Sequence, residues 1–207
     1  MLTLVLLLIL LLVAALCWWQ GLWSALLTLI NTIFAALVAL NYFEPIATRL
    51  SNASPSYAYL WDVVVFWMLF AFSFAFLRVF TDLLSRKNVT FNIWVDRVGR
   101  TLVSLWIGWI FVGLVCLSLH IGPLPPHPLG SFQKTPTSGN FLGFAPGRQW
   151  LAFLHSRSRG ALSRGSSRAA AFPQDAGMRV FDPRGQFIIK YYHRRVQFES
   201  KPGLRSN

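Results

Sequence analysis

Charge is scarce in the first part of this chain of 207 residues, and no charged side chain appears before Glu44. Residues 1–120 hold six Lys/Arg (Arg49, Arg78, Arg86, Lys87, Arg97, Arg100) and four acids (Glu44, Asp62, Asp82, Asp96). That excludes the charged surface of an ordinary soluble domain over this stretch. Cysteine is limited to Cys17 and Cys116, each inside an apolar run. The pair offers neither a disulfide framework nor metal-ligand spacing, and both read as small buried hydrophobes. Leu16 stands where a lipoprotein cleavage site wants a small residue. The sequence also lacks a Gly-rich phosphate loop, His-Glu-x-x-His, G-x-S-x-G and Cys-x-x-Cys. His120, His127, His155 and His193 are scattered without partner spacing. No catalytic, cofactor-binding or metal-ligating residues are expected, and the chain is not expected to be an enzyme.

What is abundant is oil. Hydrophobic residues make up 55% of the chain and mean hydropathy is +0.50. A helix crossing ~30 Å of hydrocarbon needs about 20 mostly apolar residues. Four stretches qualify, at about 2–19, 21–43, 59–84 and 101–120. The first two would make one helix of about 60 Å at ~1.5 Å per residue, so the chain must turn, and Gln20-Gly21 is the candidate. Trp18, Trp19 and Trp23 flank it as an interfacial aromatic belt would. Pro45, Asn52, Ser54, Pro55 and Ser56 mark a loop between spans two and three. The fold class expected is therefore an all-α membrane protein, with about four transmembrane helices in two hairpins over residues 1–120. A cleaved signal peptide is the rival for the first run, but no Lys or Arg precedes it and no A-x-A-like site follows.

Sidedness follows Lys and Arg near the spans. Arg86, Lys87, Arg97 and Arg100 place the 85–100 loop in the cytoplasm and both termini outside, against Arg49 and Lys134 on the other side.

Ionisable groups in a span cost about 2.5–3.5 kcal/mol near its centre, so each asks for a reason. Asp62 lies near the outer end of span three, and Arg78 and Asp82 near its inner end, four apart and able to pair. Asn31 sits mid-span, where an amide bonds between helices. Two readings stay open: helix-packing contacts, or a polar path lined by Asn31, Asp62, Arg78 and Asp82. Small residues four apart (Ala35/Ala39, Ala71/Ala75, Ser104/Gly108) would let helices approach closely. In the loop, Phe91, Trp94, Val95 and Val98 have helical spacing, while Val89, Phe91, Ile93 and Val95 alternate as a strand would.

The tail, residues 121–207, carries thirteen Lys/Arg and three acids. Its 121–147 part is a Pro-rich linker. Gln149–Leu154 is a short apolar patch, and Arg157, Arg159, Arg164 and Arg168 lie in a stretch read as disordered. Arg179–Phe181, Asp182-Pro183-Arg184-Gly185 and Phe187–Tyr192 read as strand, turn and strand, a terminal β-hairpin over 179–197. So the tail is expected to be largely disordered and basic. Expected partners are the lipid bilayer, other proteins or a second copy in the membrane, and anionic lipid or an envelope polyanion for the tail. Nucleic acid is the disfavoured alternative, since no recognised nucleic-acid signature accompanies the arginines.

Three features resemble the colicin V production protein family of small bacterial inner-membrane proteins. Gly21 opens span two in Gln20-Gly21-Leu22-Trp23. Span two ends in Ala39-Leu40-Asn41-Tyr42-Phe43-Glu44-Pro45. Asp96-Arg97-Val98-Gly99, with Gly108 further on, enters the last span. Gln20 stands where the family usually has Arg, and Arg100 and Ser104 where it usually has Gly. The resemblance covers roughly residues 10–120. It implies an inner-membrane location and a link to toxin production, export or envelope physiology, and no known molecular activity. The expected role is a scaffold or accessory subunit; a small oligomeric channel or transporter is the alternative.

Overall fold

The computed structural model describes residues 2–53, 58–85, 91–122, 141–157, 181–182 and 185–199. These form six helices: α1 Leu2–Trp18, α2 Gly21–Ala53, α3 Ala58–Leu84, α4 Ile93–Ile121, α5 Pro146–Arg157 and α6 Phe187–Glu199. Three helical segments, Gly21–Ala53, Leu60–Leu84 and Ile93–Ile121, are long and apolar enough to cross a membrane. α1 is equally apolar but has 17 residues, about 25 Å of helix.

Between α1 and α2 the chain reverses at Trp19-Gln20. Gly21 there has φ +80°, the left-handed region that a side chain disfavours. The turn is tight, yet α1 finds its main partner in α4, while α2 packs on both α3 and α4. The helices therefore lie in the order α1–α4–α2–α3, and the expected hairpin of α1 on α2 is a connection more than a packing pair. Where α2 packs on α3 and α4, its own side of the seam is made of small residues. Ala35, Ala36 and Ala39 of α2 are fully buried beside Phe66 and Phe70 of α3 and Ile107, Leu114 and Leu117 of α4. The other expected pair, Ala71/Ala75, is exposed, because α3 turns that side outward with Met68, Phe72 and Phe76. Leu4, Leu8, Leu11 and Leu12 of α1 and Val98, Leu102 and Trp106 of α4 are likewise exposed. Apolar area on this scale marks a surface covered by something other than water, and with the three long apolar helices it fits a multi-pass membrane protein.

Several element bounds differ from the sequence reading. α2 does not stop near Phe43 but continues through Pro45 to Ala53. A proline costs a backbone hydrogen bond inside a helix. Here the helix persists because Ala47 beyond it is fully buried and Leu50 packs on the core, and Thr48 Oγ1 donates back to the Glu44 carbonyl at 2.8 Å. α4 starts at Ile93 rather than near Thr101. Asn92 caps it by accepting from the Trp94 N–H at 3.2 Å, which settles Trp94, Val95 and Val98 as helical. Arg86 and Lys87, and the strand reading at Val89, lie outside the described residues.

The tail differs most. α5 covers α4 through Pro146, Gly147, Trp150, Leu151 and Leu154. Ahead of it, Phe141 and Phe144 exchange both backbone hydrogen bonds, at 3.1 and 2.7 Å, in a turn against Trp109. The segment read as the second β-strand is helix α6. Its buried residues are Phe187, Ile188 and Tyr191, while Ile189 is exposed. That is helical spacing, not alternation. Asp182 keeps its turn contact, its carbonyl accepting from the Gly185 N–H at 3.1 Å, and its carboxylate also accepts from the N–H groups of Gln186 and Phe187 at 2.8 and 2.9 Å, which satisfies the open start of the helix. The described tail is thus ordered helix docked on the bundle. Of the linker, Pro146 and Gly147 belong to α5, while Pro123, Pro125, Pro126, Pro128 and Pro136, together with Arg179, Val180, Pro183, Arg184, Arg159, Arg164 and Arg168, lie outside the described residues.

Candidate functional site

At the end of the bundle where α2 and α4 begin, most of the singled-out residues meet. The first N–H groups of a helix have no partner within it. One of these, on Leu22, donates to Asp96 Oδ1 at 3.0 Å, so a carboxylate in the first turn of α4 closes the first turn of α2. A negative group suits both helix starts. Arg100, one turn on, lies 3.6 Å from Asp96 Oδ2 and stacks 4.2 Å over the Trp18 ring. Trp18 Nε1 donates to Thr101 Oγ1 at 3.1 Å, which in turn donates to the Arg97 carbonyl at 2.8 Å. The end of α1, the start of α2 and the start of α4 are pinned together.

The glycines let this happen. A Cβ on Gly99 would sit 2.8 Å from Leu22 Cδ2, and one on Gly108 would sit 2.8 Å from the Leu10 carbonyl oxygen. The first neighbour is a side chain that can yield. The second is backbone, so α1 and α4 touch main chain to main chain at Gly108. Ser104, one turn earlier on the same helix face, is buried.

A second polar group continues across α2 and α3. Arg78 donates to Thr28 Oγ1 at 2.8 Å and Ser24 Oγ at 3.0 Å and pairs with Asp82 at 3.0 Å. Ser24 and Thr28 also donate to Gln20 Oε1 at 3.2 and 3.3 Å. Asn31 Nδ2 donates to Thr81 Oγ1 at 3.0 Å, and Trp23 Nε1 to Ser85 Oγ at 2.8 Å. Every one of these bonds joins neighbouring helices or stiffens one of them, which is what polar side chains do as glue in lipid.

Asp62 is elsewhere. It lies at the opposite end, only 6% exposed, paired at 2.5 Å with Arg194 of α6. Beside it Glu44 accepts from Lys190 Nζ at 3.1 Å and Tyr191 Oη at 3.2 Å. Tyr191 is fully enclosed against Phe43 and Phe187. Burial, and after it the nearby carboxylates Glu44 and Asp62, pushes its phenol well above the ordinary value of 10. Sequence reasoning missed this site. The available signal was two cations four apart, Lys190 and Arg194, on a segment whose 187/188/191 spacing suits a helix, and two acids, Glu44 and Asp62, within largely apolar sequence.

Between the two polar ends the interior is apolar, with Ala35, Ala36, Ala39, Leu40, Phe66 and Phe70 buried. The polar contacts between helices are gathered at the two ends. Among the described residues no group of three His, Cys, Asp or Glu could hold a metal ion.

Comparison with family models gives a match to the family described as Colicin V production protein, over residues 2–139. No curated protein and no solved structure matches the chain.

Proposed function

The chain belongs to the colicin V production protein family, and from that premise we propose that it is a non-enzymatic scaffold or accessory subunit for toxin production or export in the bacterial inner membrane. It would act by holding partner proteins in the bilayer. What supports this reading is that the contacts made by Asp96, Gly99 and Gly108, all within the family-matched region, join α4 to α2 and α1.

In this reading α1 is a fourth crossing. It runs antiparallel along α4, from the buried Leu2–Cys116 cluster to the Trp18–Thr101 bond, beside a helix that is itself long enough to span. Both termini face out and the Asp96 end faces the cytoplasm, following the Lys/Arg bias. The alternative, a small oligomeric channel, would run through Asn31, Arg78, Asp82 and Asp62. The apolar layer between the two ends weighs against it.

Toxin release is measured in a producing strain whose own copy is deleted and replaced. Asp96→Ala should abolish release while the protein stays in the membrane, and reconstituted wild type should pass no ions. Ion flux that vanishes with Asn31→Leu and Asp62→Asn, but survives changes in the tail, would replace the scaffold with a channel. Reporter fusions after residues 50, 92 and 150 read the orientation; position 92 outside would reverse it.

A further inference from the structure

The outer end of α2 and α3 is built as a receptor. Glu44, within α2 one residue before Pro45, and Asp62, in the first turns of α3, are both largely withdrawn from solvent. Two carboxylates held together there repel one another and have lost hydration. Beside them Phe43 and Phe66 meet edge to face at 6.0 Å, both fully buried. The complementary group is a helix with two cations one turn apart and aromatic residues on the same side, and α6 supplies it with Lys190, Arg194, Phe187 and Tyr191.

The two halves have different origins within the chain. Glu44 and Asp62 fall inside the family-matched region, which ends at residue 139, while α6 begins at Phe187. No disulfide fixes α6 on this face, since Cys17 and Cys116 are free and lie elsewhere. Of the two ion pairs, the one to Glu44 is solvent-accessible on the lysine side, with the Lys190 side chain 55% exposed, and an exposed pair contributes little; the Asp62–Arg194 pair and the buried Phe187, Ile188 and Tyr191 hold the helix more firmly.

We propose that this acidic–aromatic face is a docking site for a basic, aromatic amphipathic helix of a partner protein, and that α6 is an occupant in cis which such a helix displaces. The inference rests on the scaffold reading and names the chemical class of partner. A helix lays its apolar face in a groove through positions i, i+3, i+4 and i+7; here the anchors are the 187, 188 and 191 positions, and the cations at 190 and 194 fix register. Occupancy in cis makes the site selective, because a tethered ligand competes at an effective concentration in the millimolar range.

The test uses the full-length protein in nanodiscs and a fluorescent synthetic peptide of residues 181–199, with binding followed by anisotropy. The wild type should bind it weakly. Lys190→Ala with Arg194→Ala, which loosens the resident helix, should tighten peptide binding at least about tenfold. Adding Glu44→Gln and Asp62→Asn to that double variant should remove the gain. A peptide carrying the same two alanines should bind neither protein. Hydrogen exchange gives a second readout that needs no variant: excess wild-type peptide should speed exchange in the resident 187–199 segment. Equal affinity for wild type and double variant, or binding that survives loss of both carboxylates, would overturn the proposal. Toxin release by the double variant separates the two levels. Intact release with no peptide exchange would sink the docking site and leave the scaffold standing, whereas failure of the Asp96→Ala test sinks the scaffold itself.

Discussion

The two ends of the helical bundle satisfy their polar groups in opposite ways. At the Asp96 end the partners are close in the bundle's own logic. Asp96 serves the N-terminus of α2, Arg78 serves hydroxyls one helix away, and Trp18 and Arg100 stack across α1 and α4. At the Glu44 end the cations paired with Glu44 and Asp62 come from a helix some 130 to 150 residues later. The first end is complete within the family-matched region; the second is completed by the tail. A membrane bundle can thus be self-sufficient on one side and conditional on the other. The conditional side is where regulation or recruitment can enter at low energetic cost.

That contrast can be broken at several points. The largest effect is expected at the self-sufficient end. Gly108→Val drives a side chain into the Leu10 backbone and should cost about 3 kcal/mol of stability, read as thermal unfolding in detergent and loss of α1–α4 disulfide trapping. Gly99→Ala, which meets a yielding leucine side chain, should cost distinctly less.

At the conditional end the two members of one pair should not be equivalent. Arg194→Ala strands the buried Asp62 and should cost about 2–3 kcal/mol, whereas Asp62→Asn leaves an arginine free to reach water and should cost about 1 kcal/mol. Equal costs would mean the pair is not buried as described. Asp96→Ala removes the acceptor for the Leu22 N–H and should cost about 1 kcal/mol, seen as faster exchange in the first turn of α2.

The smallest effect is a pH dependence. The raised Tyr191 phenol keeps its proton in the folded state longer than in the unfolded one. Its contribution is therefore complete below the unfolded value near 10 and is lost as pH rises above it. Tyr191→Phe should flatten that alkaline loss of α6 protection while leaving the neutral-pH fold in place.

How much of this was legible in the sequence depends on the distance over which the physics acts. Long apolar runs, the Gln20-Gly21 reversal and the Arg78–Asp82 pair follow from local composition and helix spacing, and all are present. The Ser104/Gly108 pair was readable as a packing surface, though not that it meets α1 rather than another helix. Pro45 misled because a loop is the default for proline, and the burial of Ala47 that keeps the helix going is a tertiary fact. Phe187–Tyr192 misled for a related reason. β-Branched and aromatic residues favour strands in isolation, but the preference was overridden by a preformed acidic–aromatic face that suits a helix. Asp62 was legible as a costly group in need of a partner. Its partner was not, because nothing in the sequence near residue 62 points to residue 194.

Hydrogen exchange of the full-length protein in nanodiscs tests the two-ended design most directly. Protected amides are expected across 187–199, with protection lost in Glu44→Gln/Asp62→Asn while the first turn of α2 is unchanged, and the converse pattern in Asp96→Ala. A tail exchanging at the rate of an unstructured chain in the wild type, or protection there that ignores both carboxylates, would contradict it.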